Sequence, residues 1–138
     1  MRDLVIKDLK RHEGRVLHAY PDHLGYWTIG YGRLIDERRG GGITQEEAEY
    51  LLSNDIDRVA AALQDQAGYR KAPAQVKRAL LNMAFQLGVR GLLNFRRMWT
   101  ALEQKDYAMA AEEALDSRWA EQTPNRAAEV AAWIADGA

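Results

Sequence analysis

Apolar residues recur at helical spacing over most of the chain, and only one segment near the start departs from that period. Residues 2–12 predict a short amphipathic helix, because Val5, Ile6 and Leu9 share one face and charged residues occupy the other. Gly14 is a plausible end for this helix. Glu13 is therefore expected at the helix end, just before the chain turns.

The helical period is lost between residues 16 and 35. Aromatic and β-branched runs there are separated by glycine and proline, with a turn at residues 21–25. This pattern predicts a small, twisted antiparallel sheet of three strands. Because so few strands are marginal alone in water, the sheet is expected to lean on helices.

A long helix is predicted after the glycine-rich loop at residues 40–42. Thr44 is a good N-cap, and Glu47, three residues later, completes a capping box. The apolar stripe that follows reaches Leu63. A helix of about twenty residues spans roughly 30 Å, enough to link two lobes.

Everything after Pro73 is predicted to be helical. The apolar runs cover residues 76–87 (ending at Gly88), 92–102, 107–115 and a last helix from Thr123-Pro124 to about Ala135. The predicted class is α+β, mainly α, in one domain over residues 1–138. Its β-containing lobe covers about 13–63, and its helical lobe, with helix 2–12 packed on it, covers about 73–138.

Composition and charge exclude several kinds of functional site. The chain has no cysteine, which excludes disulfides, thiolate nucleophiles and cysteine metal sites. His12, His18 and His23 do not share a helical face, so no metal or cofactor is expected. The net charge of −1 argues against nucleic acid as a partner, although residues 65–110 carry eight basic residues against three acids.

The chain start has charges every few residues, and no stretch approaches the roughly 20 apolar residues of a membrane span. We therefore expect the protein to accumulate in the cytoplasm until something else releases it.

The segment before and within the predicted sheet carries candidate chemistry. Glu13, Asp22 and Thr28 are spaced as Glu-x8-Asp-x5-Thr. A glutamate partly buried at a helix end and an aspartate in a solvated turn have the unlike acidities that glycosidic hydrolysis needs. Each residue also has an ordinary role, as a surface charge, a turn residue or a strand former, so spacing alone leaves the function open.

Residues 11–34, in which the Glu-Asp-Thr spacing is followed by Ile-Gly-x-Gly-x-Leu, resemble the catalytic segment of phage T4-type lysozymes, glycoside hydrolase family 24. Residues 42–49, 82–88 and 117–126 resemble the start of the family's linking helix, its central buried helix and its C-terminal Thr-Pro-Asn-Arg motif. The matches are in order and cover nearly the whole chain. The resemblance implies a lysozyme-like fold and a peptidoglycan muramidase.

By the same resemblance, Glu13 is the general acid, and Asp22 and Thr28 place the attacking water for an inverting reaction. Gly32, Leu34, Phe85 and Gln86 are implied to bind the glycan. Arg126 is expected to reach Glu13 from the helical lobe. Where many relatives carry histidine this chain has Arg33, for which we predict an ion pair with Asp55.

The implied role is a phage or prophage endolysin, monomeric, acting on the bacterial wall after a separate protein has opened a hole in the membrane. Two alternatives remain. A non-catalytic glycan-binding module would not need the acid pair. A lytic transglycosylase would need an acid but no water-holding aspartate and threonine.

Overall fold

The computed structural model of the chain describes residues 2–31, 33–35 and 41–137, without the side chain of Val5. The predicted class is confirmed, since helices dominate and the strands form one small antiparallel sheet. The chain divides into two compact units, Met1–Leu51 and Leu52–Ala138, so the boundary falls inside the long helix. The predicted lobe boundaries and the packing of the first helix stay predictions.

The first unit begins with α1, Arg2–Glu13, one residue longer than the sequence pattern predicted. Three strands follow, β1 Val16–Pro21, β2 Trp27–Gly30 and β3 Arg33–Leu34, in the order β1-β2-β3. Gly14 has a φ of 71° and donates its N–H to the Lys10 carbonyl at 3.1 Å. This left-handed glycine ends α1 and turns the chain into the sheet.

The β1–β2 hairpin sets the register of the sheet. Val16 pairs with Gly30 and Tyr20 with Thr28, and the register shifts between these pairs, which marks a bulge in β1. Thr28 also pairs with Leu34 of β3, so it occupies the central strand. Its side chain is only 3% exposed, the one polar residue among the buried residues described.

The long helix α2, Gln45–Leu63, starts with the predicted capping box. The Glu47 N–H donates to Thr44 Oγ1 at 3.1 Å, and the Thr44 N–H donates to Glu47 Oε1 at 2.9 Å. Both N-terminal donors are thereby satisfied, which fixes the start of the helix.

The second unit holds the end of α2 and six further helices of the described chain. They are α3 Ala67–Arg70, α4 Ala74–Leu93, α5 Arg96–Glu103, α6 Tyr107–Leu115, α7 Arg118–Gln122 and α8 Pro124–Ala135. Helix α6 packs against α5 and α8, and α8 also packs against α4. In the described part of the chain, no helix combines the length and the apolarity that crossing a membrane requires.

Buried apolar side chains form the core of the second unit. Its largest fully buried side chains include Leu80, Met83, Met98 and Ile134, and Trp119 is only 4% exposed. Met83 and Trp119 are thus core residues.

Some local details differ from the sequence predictions. Gly88, with φ 75° and ψ 159°, breaks α4 where the apolar face was predicted to end, but helical turns resume and reach Leu93. Thr123 precedes Pro124 as predicted, yet its hydroxyl donates to the Trp119 carbonyl at 2.9 Å rather than capping α8. The short α3 and α7 were not predicted as separate helices, because four or five residues show no helical period.

Candidate active site

Asp22 lies directly after β1, in the turn that leads to β2. Its Oδ1 accepts the N–H groups of Leu24 and Tyr26, each at 2.9 Å. These bonds to the ionised form, the one from Tyr26 first, lower the pKa of the Asp22 carboxyl. The predicted position of Asp22 in a turn is therefore confirmed, although the residue is half-buried rather than fully solvated.

Thr28 is tied to the same turn through one backbone group. The Tyr26 carbonyl accepts the Asp22 N–H at 2.8 Å and the Thr28 hydroxyl at 3.0 Å. The Tyr26 N–H thus holds the Asp22 carboxylate, and the Tyr26 carbonyl holds both the Asp22 backbone and the Thr28 hydroxyl. The structure brings these two predicted residues together.

Glu13 is the last residue of α1, and its side chain is exposed. The expectation of a partly buried position is therefore wrong. Within the part of the chain that is described, Glu13 forms no side-chain hydrogen bond to Asp22 or Thr28. Its catalytic role stays a prediction.

Cation–π and strand contacts place the end of α1 beside β2. The Lys10 ammonium lies 5.5 Å from the centroid of the Tyr31 ring, directly after β2, and Val16 pairs with Gly30. The residues on either side of Glu13 therefore contact the end of β2 and the residue after it. No group of three histidine, aspartate or glutamate side chains able to hold a metal occurs among the described residues.

The predicted Arg33–Asp55 ion pair is wrong. Arg33 instead donates from Nη1 and Nη2 to Glu47 Oε1 and Oε2, both at 2.9 Å, and from Nη1 to the Gly42 carbonyl at 2.7 Å. Asp55 pairs with Arg58 one helical turn later. The planar Arg33 guanidinium forms a bidentate contact with the Glu47 carboxylate at the start of α2. This contact links the sheet to the capping box.

The implied glycan-binding residues of the first unit are only partly described. Leu34 is half-buried in β3 opposite Thr28. Gly32 lies outside the described residues. Leu34 is therefore part of the strand framework around Thr28, and glycan contact by either residue stays a prediction.

The second unit carries the remaining predicted residues. Phe85 is 41% exposed on α4, which suits a wall rather than a core position. Gln86 Oε1 accepts the Trp119 indole N–H at 2.9 Å. Arg126 donates from Nε to Asn82 Oδ1 at 3.0 Å and from Nη2 to the Asn82 carbonyl at 3.3 Å. The predicted approach of Arg126 to Glu13 stays a prediction.

Sequence reasoning missed the groups that hold these side chains. Tyr26 acts through its backbone, which residue type does not reveal. Asn82 holds Arg126 from 44 residues away in the sequence, and Trp119 holds Gln86 from 33 residues away. Glu47 could have been found, because its capping position brings a carboxylate to the end of the sheet.

Comparison with known proteins shows the family to which the chain is similar. The family model described as phage lysozyme matches residues 10–131. A probable T4-type lysozyme 1 of Dictyostelium discoideum is 32% identical over 160 aligned positions, covering 96% of this chain and 94% of that protein.

Two phage proteins show similar identity over different shares of their length. An endolysin of Acyrthosiphon pisum secondary endosymbiont phage 1 is 33% identical, covering 85% of this chain and 77% of its own. The pre-baseplate central spike protein Gp5 of Enterobacteria phage T4 is 33% identical over 94% of this chain, but the match spans only 27% of that protein. The similar region thus occurs both as nearly a whole protein and as one part of a larger one.

Proposed function

The chain belongs to the phage lysozyme family and is an enzyme of the lysozyme class that acts on peptidoglycan, and from this premise we propose that it hydrolyses the β-1,4 bond between N-acetylmuramic acid and N-acetylglucosamine. Glu13 is the general acid, and Asp22 and Thr28 place the attacking water. The observation that carries the proposal is that the backbone of one residue, Tyr26, binds both side chains, the Asp22 carboxylate through its N–H and the Thr28 hydroxyl through its carbonyl.

The hydrogen-bond roles around Tyr26 suit a held water. Thr28 donates its one hydroxyl hydrogen to the Tyr26 carbonyl. The Thr28 oxygen can therefore only accept a hydrogen bond from a ligand. Asp22 Oδ1 is occupied by two N–H groups, which leaves Oδ2 as the acceptor. A water that donates one hydrogen to each turns a lone pair toward the sugar, and Asp22 can take its proton.

Glu13 supplies the complementary proton. Its side chain is exposed in the free protein and is therefore accessible to a bound glycan. Protonation of the leaving oxygen by Glu13 and attack by water from the opposite face constitute an inverting hydrolysis. Such a reaction needs the two carboxyl groups roughly 6.5–9.5 Å apart.

The biological role we propose is host lysis by a phage or prophage endolysin. The enzyme acts as a monomer and reaches the wall through a hole that a separate protein makes in the membrane. The similarity to an endolysin supports this role. Host lysis is separable from catalysis, because wall cleavage by the purified protein does not depend on the route of release.

The test adds purified protein to chloroform-treated Gram-negative cells. We expect the wild type to clear them, Glu13→Gln to lose at least about 100-fold in rate because general acid catalysis is removed, and Glu103→Gln, an exposed acid on α5, to match the wild type. Equal clearing by Glu13→Gln would contradict the assignment. Binding of the wall without clearing by any form would favour a binding module.

Mass spectrometry of the digested wall separates hydrolysis from the other cleavage reaction. Reducing muramic ends are expected, since Asp22 and Thr28 hold a water. Anhydro ends would show a lytic transglycosylase instead.

A further inference from the structure

The sheet of the first unit has a second face, opposite the one that carries Thr28. Neighbouring residues of a strand point to opposite faces, so Ile29 and its partner Arg33 lie on that second face. A cavity of about 610 Å³ opens there, between the β2–β3 pair and the start of α2. Its described lining residues all belong to the first unit, and neither Asp22 nor Thr28 is among them. The cavity is therefore separate from the candidate active site.

Exposed aromatic side chains concentrate around this cavity. The described ranges contain four exposed aromatic residues, of which Tyr31 and Tyr50 line the cavity, with 44% and 69% of their surface exposed. Trp27, 54% exposed, lies two residues before Ile29 and therefore on the same sheet face. The Lys10 ammonium lies 5.5 Å from the centroid of the Tyr31 ring and holds that ring in place. Several exposed rings on one side of so small a unit are typical of a binding surface.

The charges around the cavity argue against an anionic ligand. Arg33 is the one cation among the described residues of the lining, and Glu47 neutralises it through two hydrogen bonds of 2.9 Å. Glu46 is exposed and forms no hydrogen bond or ion pair with the described part of the chain, so its carboxylate is a free acceptor. Ile43 and Leu51, each 50% exposed, belong to the apolar part of the lining. The cavity therefore fits a neutral ligand that offers N–H or O–H donors next to apolar surface.

An N-acetylated sugar has this combination of groups. One side of its pyranose ring presents C–H groups, which pack against aromatic rings because the face of an aromatic ring is negative. Its acetamido group supplies a methyl group for Ile43 and Leu51 and an N–H donor for Glu46. An apolar peptide that covered the cavity would leave the Glu46 carboxylate without a partner, which is unfavourable.

Resting on the proposed function, which makes a glycan strand the substrate, we propose that this cavity is a second, non-catalytic site for the N-acetylated sugars of that strand. Tyr31 and Tyr50 are the rings on which the sugars stack, and Glu46 accepts the acetamido N–H. Because the second site and the turn with Asp22 and Thr28 bind the same polymer, binding at the cavity raises the effective concentration of substrate at the turn.

The test titrates the N-acetylglucosamine tetramer into the full chain and follows the binding by NMR. This sugar contains no muramic acid and so lacks the bond that the proposed reaction cleaves. We expect the resonances of Ile29, Ile43 and Leu51 around the cavity to shift. Maltotetraose, a glucose tetramer without acetamido groups, is expected to leave them unshifted.

Matched variants assign the binding to the rings. Tyr31→Ala/Tyr50→Ala is expected to weaken binding at the cavity resonances at least about fivefold, since two stacking contacts are lost. Tyr31→Phe/Tyr50→Phe keeps the rings and is expected to stay within about twofold of the wild type. The control Leu17→Ala/Met109→Ala removes two exposed apolar side chains outside the cavity and is expected to bind as the wild type does.

Kinetics on intact walls separate a binding role from a structural one. Tyr31→Ala/Tyr50→Ala is expected to raise KM about fivefold and to retain kcat, because the cavity does not touch the reacting atoms. Unchanged thermal unfolding of each variant confirms that the fold is intact.

Unshifted cavity resonances, equal shifts with maltotetraose, or equal effects of the tyrosine-to-alanine and control variants would overturn the proposal. A sugar-free dimer that sedimentation detects in the wild type and not in Tyr31→Ala/Tyr50→Ala would also overturn it, because the face would then be an interface between copies of the chain. If Glu13→Gln loses cleavage but the tetramer does not reach the cavity, only the second site fails. If the tetramer binds there but Glu13→Gln cleaves normally, only the catalytic assignment fails.

Discussion

At the scale of single residues, the candidate chemistry depends on which donors and acceptors already form hydrogen bonds within the protein. Thr28 is an acceptor toward any ligand because the Tyr26 carbonyl takes its hydrogen. Asp22 stays ionised because two backbone N–H groups favour its charged form and lower its pKa. In the proposed reaction these two acceptors hold one water.

Replacing Thr28 tests this arrangement. Thr28→Val keeps the shape but removes the oxygen, so we expect kcat for wall cleavage to fall by about 100-fold. Thr28→Ser keeps the oxygen and is expected to stay within about tenfold of the wild type. Turbidity kinetics at matched protein concentration measure both. Equal loss in the two variants would indicate a packing role, since only the methyl group distinguishes serine from threonine.

Residue-scale prediction from sequence succeeded where the partner is near in the chain. The turn signal at Pro21 predicted that Asp22 would be a polar turn residue, because an aspartate side chain accepts a hydrogen bond from the backbone N–H two residues later. It failed for Arg33, whose partner was chosen by analogy. A guanidinium pairs with whichever carboxylate the fold presents edge-on, and the fold presents Glu47, not Asp55.

At the scale of elements, the start of α2 combines two functions. Glu47 closes the capping box with Thr44 and also receives both Arg33 nitrogens. These contacts, the Arg33 hydrogen bonds first, lower the pKa of Glu47 from 4.5 to about 2. One carboxylate therefore ties the last strand to the helix that follows it.

The ionisation of Glu47 makes stability depend on pH. Its pKa is lower in the folded chain, so its contribution is fully present above pH 4.5 and is lost as the pH falls through about 2. We expect Glu47→Gln to be less stable than the wild type at pH 6, with the difference shrinking from pH 4.5 downward. Urea unfolding at several pH values measures it.

Glu46→Gln is the control, because the Glu46 side chain has no hydrogen bond or ion pair with any residue in the described ranges. A Glu47→Gln difference that stays constant between pH 6 and pH 3 would show that its ionisation does not stabilise the fold.

Element starts and ends were predictable where a local rule acts alone. The capping box at Thr44 follows from two residue types at a fixed spacing, and the break at Gly88 follows from a glycine that ends an apolar stripe. Thr123 has the right type and position for a cap, but the Trp119 carbonyl, one turn earlier, takes its hydroxyl. The competing acceptor belongs to α7, which was too short to predict.

At the scale of the whole molecule, the sequence resemblance predicted more than periodicity could. Apolar stripes indicate which faces are buried but not which helices meet. Periodicity supplied the α+β class, which the structure confirms, and the order of the matched segments supplied the family fold. Long-range polar contacts, such as Trp119 to Gln86, remained unpredicted because many pairings satisfy the same local pattern.

The C-terminal segment is held tightly by the core of the second unit. A Cβ on Gly137 would lie 2.5 Å from Val76 Cγ2 and 3.1 Å from Tyr107 Cγ. We therefore expect Gly137→Ala to lower the free energy of unfolding by about 1–3 kcal/mol, the usual cost of overpacking. Thermal or urea unfolding measures this loss.

A double variant identifies the clash. Val76→Ala removes the methyl group that the new Cβ meets, so Gly137→Ala/Val76→Ala is expected to lose less stability than the two single changes added together. If the stability losses of the two single variants simply add in the double variant, Val76 does not confine Gly137.

The central claim is that Asp22 and Thr28 deliver a water to the sugar from the face opposite the leaving oxygen. The most direct measurement is the anomeric configuration of newly formed muramic ends, followed by proton NMR before mutarotation mixes the anomers. Inversion of the β-linkage predicts that the α-anomer appears first. Initial release of the β-anomer would contradict the account, because retention requires a covalent or internally captured intermediate instead of a held water.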